Sequence, residues 1–303
     1  MKRRTWELTP ESSPQALEAA LAERLEVSQE EAARRIRAGS VYVQGKRVLV
    51  PAAQVVAGQK LTVVLEEGGE ATDGALATDS VSLVPLYEDL DVVAFDKPAG
   101  LPAQPTQGRV GNSLVDAASA HLGRAAGLVH RLDRETSGVT VFGKLPHATS
   151  GLAEAFREGL ALKRYLAVVG PGLDARGEVD LPLSKDPSRP GRYRATRQAN
   201  GVPAFTAYER LSESDGFSLV ALYPRTGRTH QLRAHLTALG FPILGDKRYG
   251  GEAQAGALLA RRCLLHAERL VIPHPRTSKS LELHAPLPAD IQAFFTAAGR
   301  AWP

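Results

Sequence analysis

His130-Arg131-Leu132-Asp133-Arg134-Glu135-Thr136-Ser137-Gly138 sets the carboxylate of Asp133 between Arg131 and Arg134 and hands the chain to the run Val139-Thr140-Val141-Phe142, a strand pattern. Opposite charge nearby favours the ionised form of an acid, and an ionised Asp serves as nucleophile or base. The small hydroxyl residues and Gly138 that follow let a backbone pass close to a ligand. On local chemistry alone the same carboxylate also fits an ordinary structural turn, and both readings stand at this point.

Outward from this stretch, Val92-Val93-Ala94-Phe95 is a strand that runs into the turn Lys97-Pro98-Ala99-Gly100. Leu162 to Val169 is strand-like and ends at Gly170, Ser218 to Tyr223 is another strand, and Leu152 to Phe156 sits in a short helix. Thr229 to Leu239 reads as a helix closed by Gly240 at the C′ position. Strands and helices alternate without a regular βαβ rhythm. The expectation is therefore an α+β catalytic domain over 81–303, built on a mixed, mainly antiparallel sheet.

Ahead of it, Ser13-Pro14 predicts a helix start with Ser13 as N-cap, and Leu17, Leu21 and Leu25 recur at helical spacing. Ser28-Gln29-Glu30-Glu31 is a capping box for a second helix through Ile36, stopped by Gly39. Val41-Tyr42-Val43 and Val48-Leu49-Val50 flank Gln44-Gly45-Lys46 as a hairpin, and Leu61 to Leu65 adds a strand. These make residues 1–65 a small α/β module. Residues 66–80 are rich in Gly, Ala and acids without an apolar period, the composition of a linker. No internal repeat is visible.

The 303 residues hold 43% hydrophobic and 23% charged side chains, ordinary for a globular protein. No apolar run approaches the length of a membrane span. Met1-Lys2-Arg3-Arg4 is followed by Glu7 and Glu11 where a signal peptide needs apolar residues, so a cytoplasmic location is expected. The single cysteine, Cys263, beside Leu264 and Leu265, excludes an intramolecular disulfide and a cysteine-rich zinc site and reads as a small buried hydrophobe. Net charge is only +4, but the cations cluster. Lys185, Arg189, Arg192, Arg194 and Arg197 face Asp186 alone, and Arg225, Arg228, Arg233, Lys247 and Arg248 face Asp246 alone. Clusters of that kind suit a polyanion; taken singly, the first also suits solvated surface.

Arg225-Thr226-Gly227-Arg228-Thr229-His230-Gln231-Leu232-Arg233-Ala234-His235 is dense in donors, apt for phosphates and base edges at a helix start. It is no Walker loop, and His230 and His235, five apart with no Glu between, lack the zincin pattern, so no metal is expected. Tyr165 sits in an apolar strand, where an aromatic is either core or a surface on which a base stacks. No Gly-x-Ser-x-Gly elbow, no second carboxylate partnering Asp133 as in a glycosidase, and no dinucleotide fingerprint is present.

Three of these segments together resemble the RluA-type pseudouridine synthases. His130-Arg131-Leu132-Asp133 with Thr136-Ser137-Gly138 is similar to the family's signature, and Lys163-Arg164-Tyr165 to its Lys-x-Tyr strand. Thr226 to Arg233, with Gly240-x-Pro242-x-Leu244-Gly245-Asp246 and Tyr249, is similar to its third motif. Softer matches are Asp96-Lys97-Pro98-Ala99-Gly100, Leu265-His266-Ala267 and Pro286-Leu287-Pro288. The resemblance implies isomerisation of uridine in RNA, ribosomal first and transfer RNA as the alternative, with no cofactor or metal. It implies Asp133 as catalytic carboxylate, Arg233 as its partner with a fork able to grip both oxygens, and Tyr165 stacking under the uracil. Three steps stay open for Asp133: attack on the sugar, attack on the base, or removal of a ribose proton. Arg131, Thr136, Lys163, Arg228, His230 and Gln231 become candidates for contacting RNA. The N-terminal module resembles the alpha-L RNA-binding module through Gly39 to Lys46, with Lys46 as its contact candidate; Gln29 and Ala16 stand where relatives carry Arg. A monomer is expected.

Overall fold

The computed structural model describes residues 2–7, 14–37, 41–48, 50–65, 83–105, 113–198, 201–214 and 216–300, without the side chains of 2–4, 7, 34, 37, 46, 47, 64 and 65. Ser13, Gly39, Leu49 and the segment 66–80 lie outside these residues. The chain divides into two compact units, Met1–Ser82 with Gln104–Ala120, and Leu83–Ala103 with His121–Pro303.

In the first unit the hairpin turn is the two residues Gln44 and Gly45, both left-handed with φ 52° and 76°, so Lys46 belongs to the second strand and not to the loop. Two successive positive φ values match the right-handed twist of paired strands. The first helix spans Leu17–Leu25 and begins later than Ser13-Pro14 predicts. Gln15–Ala16 is drawn into pairing with Gln54–Val55, and the carbonyls of Ala53 and Pro51 accept the first helical N–H groups, from Leu17 and Glu18. A neighbouring loop thus satisfies donors that a side-chain cap would otherwise take. The second helix, Gln29–Arg37, keeps its cap: Glu31 N donates to Ser28 Oγ. Lys2–Glu7, charged and unread as a strand, pairs along its whole length with Lys60–Leu65 as a sheet edge, where lysine and arginine are well tolerated. Leu17, Leu21, Ile36, Val41, Leu61 and Val63 form this unit's core.

The second unit is built on one ten-stranded sheet. Its central path runs Phe205–Ser214, Phe217–Pro224, Leu162–Val169, Leu265–Pro273, Ser137–Gly143, Val92–Lys97. Every pairing is antiparallel except Ser137–Gly138 against His266–Ala267, so the sheet is mixed and mainly antiparallel. That one parallel contact explains Gly138. Its φ is 116°, and a Cβ there would sit 2.2 Å from the Ala267 carbonyl oxygen. The close approach expected for a ligand is instead made by a strand. Gly138→Ala should cost about 3 kcal/mol of stability, through strain plus the clash. A urea-unfolding midpoint equal to the wild type's would show that the strand crossing yields easily.

The helix before Gly240 ends as its sequence predicts. Gly240 has φ 88°, its N–H reaches Thr237 O at 3.0 Å, and Phe241 N–H reaches Leu236 O at 2.9 Å, the paired bonds of a Schellman stop. Its start differs: the helix spans Gln231–Ala238, with His230 at the N-cap. The strand Phe205–Ser214 and the helix Ala289–Ala297, neither evident in the sequence, complete the unit. Phe294 packs edge-to-face on Phe217 at 5.1 Å, in a core shared with Leu166, Val168, Leu219 and Leu222; burying each large side chain is worth roughly 1.5–3 kcal/mol. Cys263 lies in the same core as expected, its thiol pushed up by burial. Among the described residues no helix is long and apolar enough to cross a membrane.

Candidate active site

Asp133 lies in a loop pinned on both sides. His130, half-buried, stacks on Phe156 at 4.5 Å and accepts the Val141 N–H on Nε2 at 3.0 Å. Burial pulls its imidazole down to about 3, so the ring is neutral and can accept. On the other side the buried Lys97 ammonium donates to three carbonyls, of Pro98, Leu101 and Arg134, at 2.9, 2.8 and 3.0 Å. Three donors meet three acceptors, which fits the geometry of an ammonium. Burial nonetheless pulls Lys97 down to about 7. Gly100 N–H also reaches Arg134 O, and Arg262 Nη1 donates to Glu135 O at 3.1 Å. The loop is therefore held at residues 130, 134 and 135, and the Asp133 side chain is left facing a cleft.

Arg233 enters from the helix Gln231–Ala238, one hundred residues away in sequence. Its Nη1 donates to Asp133 Oδ2 at 2.9 Å. The fork, however, is spent elsewhere: Nε and Nη2 grip the two oxygens of Asp246 at 2.7 and 2.9 Å. The expectation that this fork holds both oxygens of Asp133 is corrected. Asp246 is almost wholly buried and demands a bidentate cation, whereas Asp133 is partly open to solvent. Burial disfavours the guanidinium's charge, but the Asp246 carboxylate outweighs it and holds the group above its ordinary range. Arg233 also lies 4.8 Å from the centre of the Tyr249 ring, with Arg192 at the same distance. The two basic clusters thus converge on Tyr249, a role that nothing in the sequence assigns to it.

Tyr165 lines the cleft with Asp133. The strand Leu162–Val169 bulges between Arg164 and Tyr165 against Leu265–Pro273, a device that re-aims a side chain. Burial, and secondarily the Asp133 charge, push the Tyr165 phenol up, so it stays a neutral ring. His230 takes a left-handed backbone, φ 57°, unusual for a residue with a Cβ. The Tyr249 hydroxyl accepts the Tyr193 N–H at 2.9 Å and shares a hydrogen bond with His230 Nδ1 at 3.1 Å. The other ring nitrogen, Nε2, faces Asp133 Oδ2 at 3.9 Å. Burial lowers the His230 pKa against the opposing pull of Asp133.

The remaining candidates differ in what they have left to offer. Gln231 is buried, and its amide is fully used: Oε1 accepts Thr226 Oγ1 and Arg228 N, while Nε2 donates to Phe205 O and Thr206 Oγ1. It shapes the wall rather than projecting donors. Lys163 Nζ donates to Thr226 O at 3.2 Å, its charge disfavoured by burial. Thr136 is buried in the cleft wall, and its N–H closes the turn on Asp133 O. Arg131 and Arg228 are exposed at the rim. The Lys46 side chain lies outside the described residues. His235 bonds Thr206 Oγ1 and Leu181 O, apart from His230. Among the described residues the one three-ligand group, Asp89, Asp91 and His274, is already met by Arg276, which grips Asp91 with two nitrogens.

The description "RNA pseudouridylate synthase" matches residues 91–238 as a family model. A ribosomal large subunit pseudouridine synthase D of Nitrosomonas europaea is 33% identical over 271 residues, covering 84% of this chain and 78% of the relative. An uncharacterised RNA pseudouridine synthase of Bacillus subtilis is 35% identical, covering 84% of this chain and 88% of the relative. The solved human RNA pseudouridylate synthase domain containing 4 superposes with TM-score 0.59 at 30% identity, covering 72% of this chain and 94% of that one. The protein belongs to the RNA pseudouridylate synthase family, and with it to the isomerases.

Proposed function

We propose that the cleft receives one uridine of a structured ribosomal RNA and that Asp133 carries its isomerisation. The observation that supports this most is the carboxylate's setting. Oδ2 is anchored on Arg233 Nη1, Oδ1 has no hydrogen bond among the described residues, and both lie in a cleft that Tyr165 also lines. An anchored anion with one open oxygen is prepared for chemistry without reorganising. In the reaction the N1–C1′ bond breaks, the base turns, the C5–C1′ bond forms, a proton leaves C5 and one arrives at N1. Atoms and electrons balance within the substrate. Tyr165 stacks on the uracil while it is turned, Arg233 and His230 orient the carboxylate, and Arg131 and Arg228 take phosphates at the rim. Extruding the uridine costs a few kcal/mol, which the phosphate contacts offset.

Residues 1–65 serve in this reading as an RNA-binding accessory joined through 66–80. In this reading the chain works as a monomer, with Asp133, Tyr165 and Arg233 all supplied by one chain, and meets its RNA in the cytoplasm. Mapping pseudouridines in total RNA from cells with and without the gene tests the assignment. It stands if ribosomal positions lose the modification, moves to transfer RNA if those do, and fails if no uridine depends on the gene. For the accessory, Lys46→Glu should weaken ribosomal-RNA binding about threefold at moderate salt while the single-turnover rate at saturation stays normal. Unchanged affinity would take Lys46 off the RNA path.

A further inference from the structure

Beside the cleft, where the strand Leu162–Val169 begins and Phe217–Pro224 ends, lies a second and larger hollow of about 700 Å³. Its floor is apolar, from Ala161, Ala207 and Val271, and its exposed edge carries Leu162 and Tyr223, 66% and 36% accessible. Lys163, Arg164, Arg225 and Arg269 line it, and no carboxylate does. Arg164 and Arg269 are bonded from outside the hollow, to Glu268 and Glu282. Arg225 has no such partner among the described residues; its guanidinium lies 4.3 Å over the Phe205 ring. Stacking of that kind keeps the in-plane N–H donors free for an anion.

We infer that this hollow binds the single-stranded RNA segment next to the target uridine, with a base stacked on Tyr223 and a phosphate on Arg225. The inference rests on the cleft being the place where the target uridine enters. Two observations choose RNA over an apolar partner. One is charge: an apolar floor ringed by cations fits a base with its phosphate, and stacking on an aromatic tolerates any base. The other is continuity. Pro224 walls both cavities, and a small cavity between them is shared by Tyr165 on the cleft side and Lys163 and Arg269 on the other. A strand leaving the cleft past Pro224 enters the hollow directly.

The test measures binding, without turnover, of labelled oligouridylates of about twelve and about three nucleotides to the full chain. It compares the wild type with Tyr223→Ser and Arg225→Gln, both exposed and outside the catalytic machinery. Tyr223→Ser should weaken the longer RNA about tenfold. Arg225→Gln should weaken it less and flatten its salt dependence by about 0.7 in log–log slope. The short RNA, which reaches only the cleft, should bind both variants as it binds the wild type, and the single-turnover rate at saturating ribosomal RNA should be unchanged. Equal affinity of both variants for the longer RNA overturns the inference, including the case where they instead lose affinity for lipid vesicles or for a second copy of the chain. Equal weakening of short and long RNA overturns it too, because the residues would then act through the cleft. Failure of the cleft reading shows separately, as pseudouridine formation that survives Asp133→Asn.

Discussion

Asp133→Asn is expected to fold, to bind RNA as the wild type does, and to lose on the order of 10⁴-fold in single-turnover rate. The amide is nearly isosteric, so the loop pinned by His130, Lys97 and Arg262 has no reason to move. The carbonyl oxygen of the Asn can still accept from Arg233 Nη1, which keeps the local geometry. What is lost is the negative charge, and with it a nucleophile or base. Mass-spectrometric detection of pseudouridine, with RNA affinity measured in parallel, separates the two effects. Substantial turnover by the variant would falsify the assignment of Asp133.

Arg233→Lys should lose about 10²-fold in single-turnover rate with little change in RNA affinity, because it changes three bonds at once. A lysine ammonium cannot grip both oxygens of Asp246 and also reach Asp133. It will stay with Asp246, the more deeply buried acid, whose loss of a partner costs about 3–5 kcal/mol. Asp133 then loses its anchor, and a misplacement near 1 Å costs about 10²-fold. Arg228→Ala should show the opposite pattern: weaker binding, a salt slope shallower by about 1, and a normal rate at saturation. Asp246→Asn should resemble Arg233→Lys, since the Asp246 carboxylate holds Arg233 in place as well as accepting the Arg248 and Tyr249 N–H groups. A normal rate for Arg233→Lys at saturating RNA would mean that Arg233 is not the anchor of Asp133.

Much of the local structure was legible in the sequence. Leu162–Val169 reads as a strand because, past Lys163 and Arg164, Tyr165 to Val169 run apolar and unbroken to Gly170. The Schellman stop at Gly240 and the Ser28 cap are written in a few neighbouring residues. The motifs single out Asp133, Tyr165 and Arg233, and the fold brings the three to one cleft or one bond. Asp246 and Tyr249 stood in the same motif with no role. Nothing in their spacing shows that a bidentate pair and a stacked ring await them. Lys97 stands in the sequence as the start of a turn and in a softer family-like segment, with no role, although its ammonium holds that turn to the Asp133 loop.

The sequence by itself determined which chemical groups this protein owns, where most helices and strands form, and that arginines flank Asp133. These properties act over a few residues: side-chain periodicity, caps, turns and local charge. Only the tertiary structure decided how those groups are used. It spends the Gln231 amide on the protein, gives the Arg233 fork to Asp246, opens Gly138 to a crossing strand and sets His230 Nε2 toward Asp133. Each of these depends on partners up to about one hundred residues or more apart in sequence, chosen by how deeply each group is removed from water. Burial is a property of the assembled sheet and helices. It makes an unpaired Asp246 intolerable and leaves one oxygen of Asp133 open.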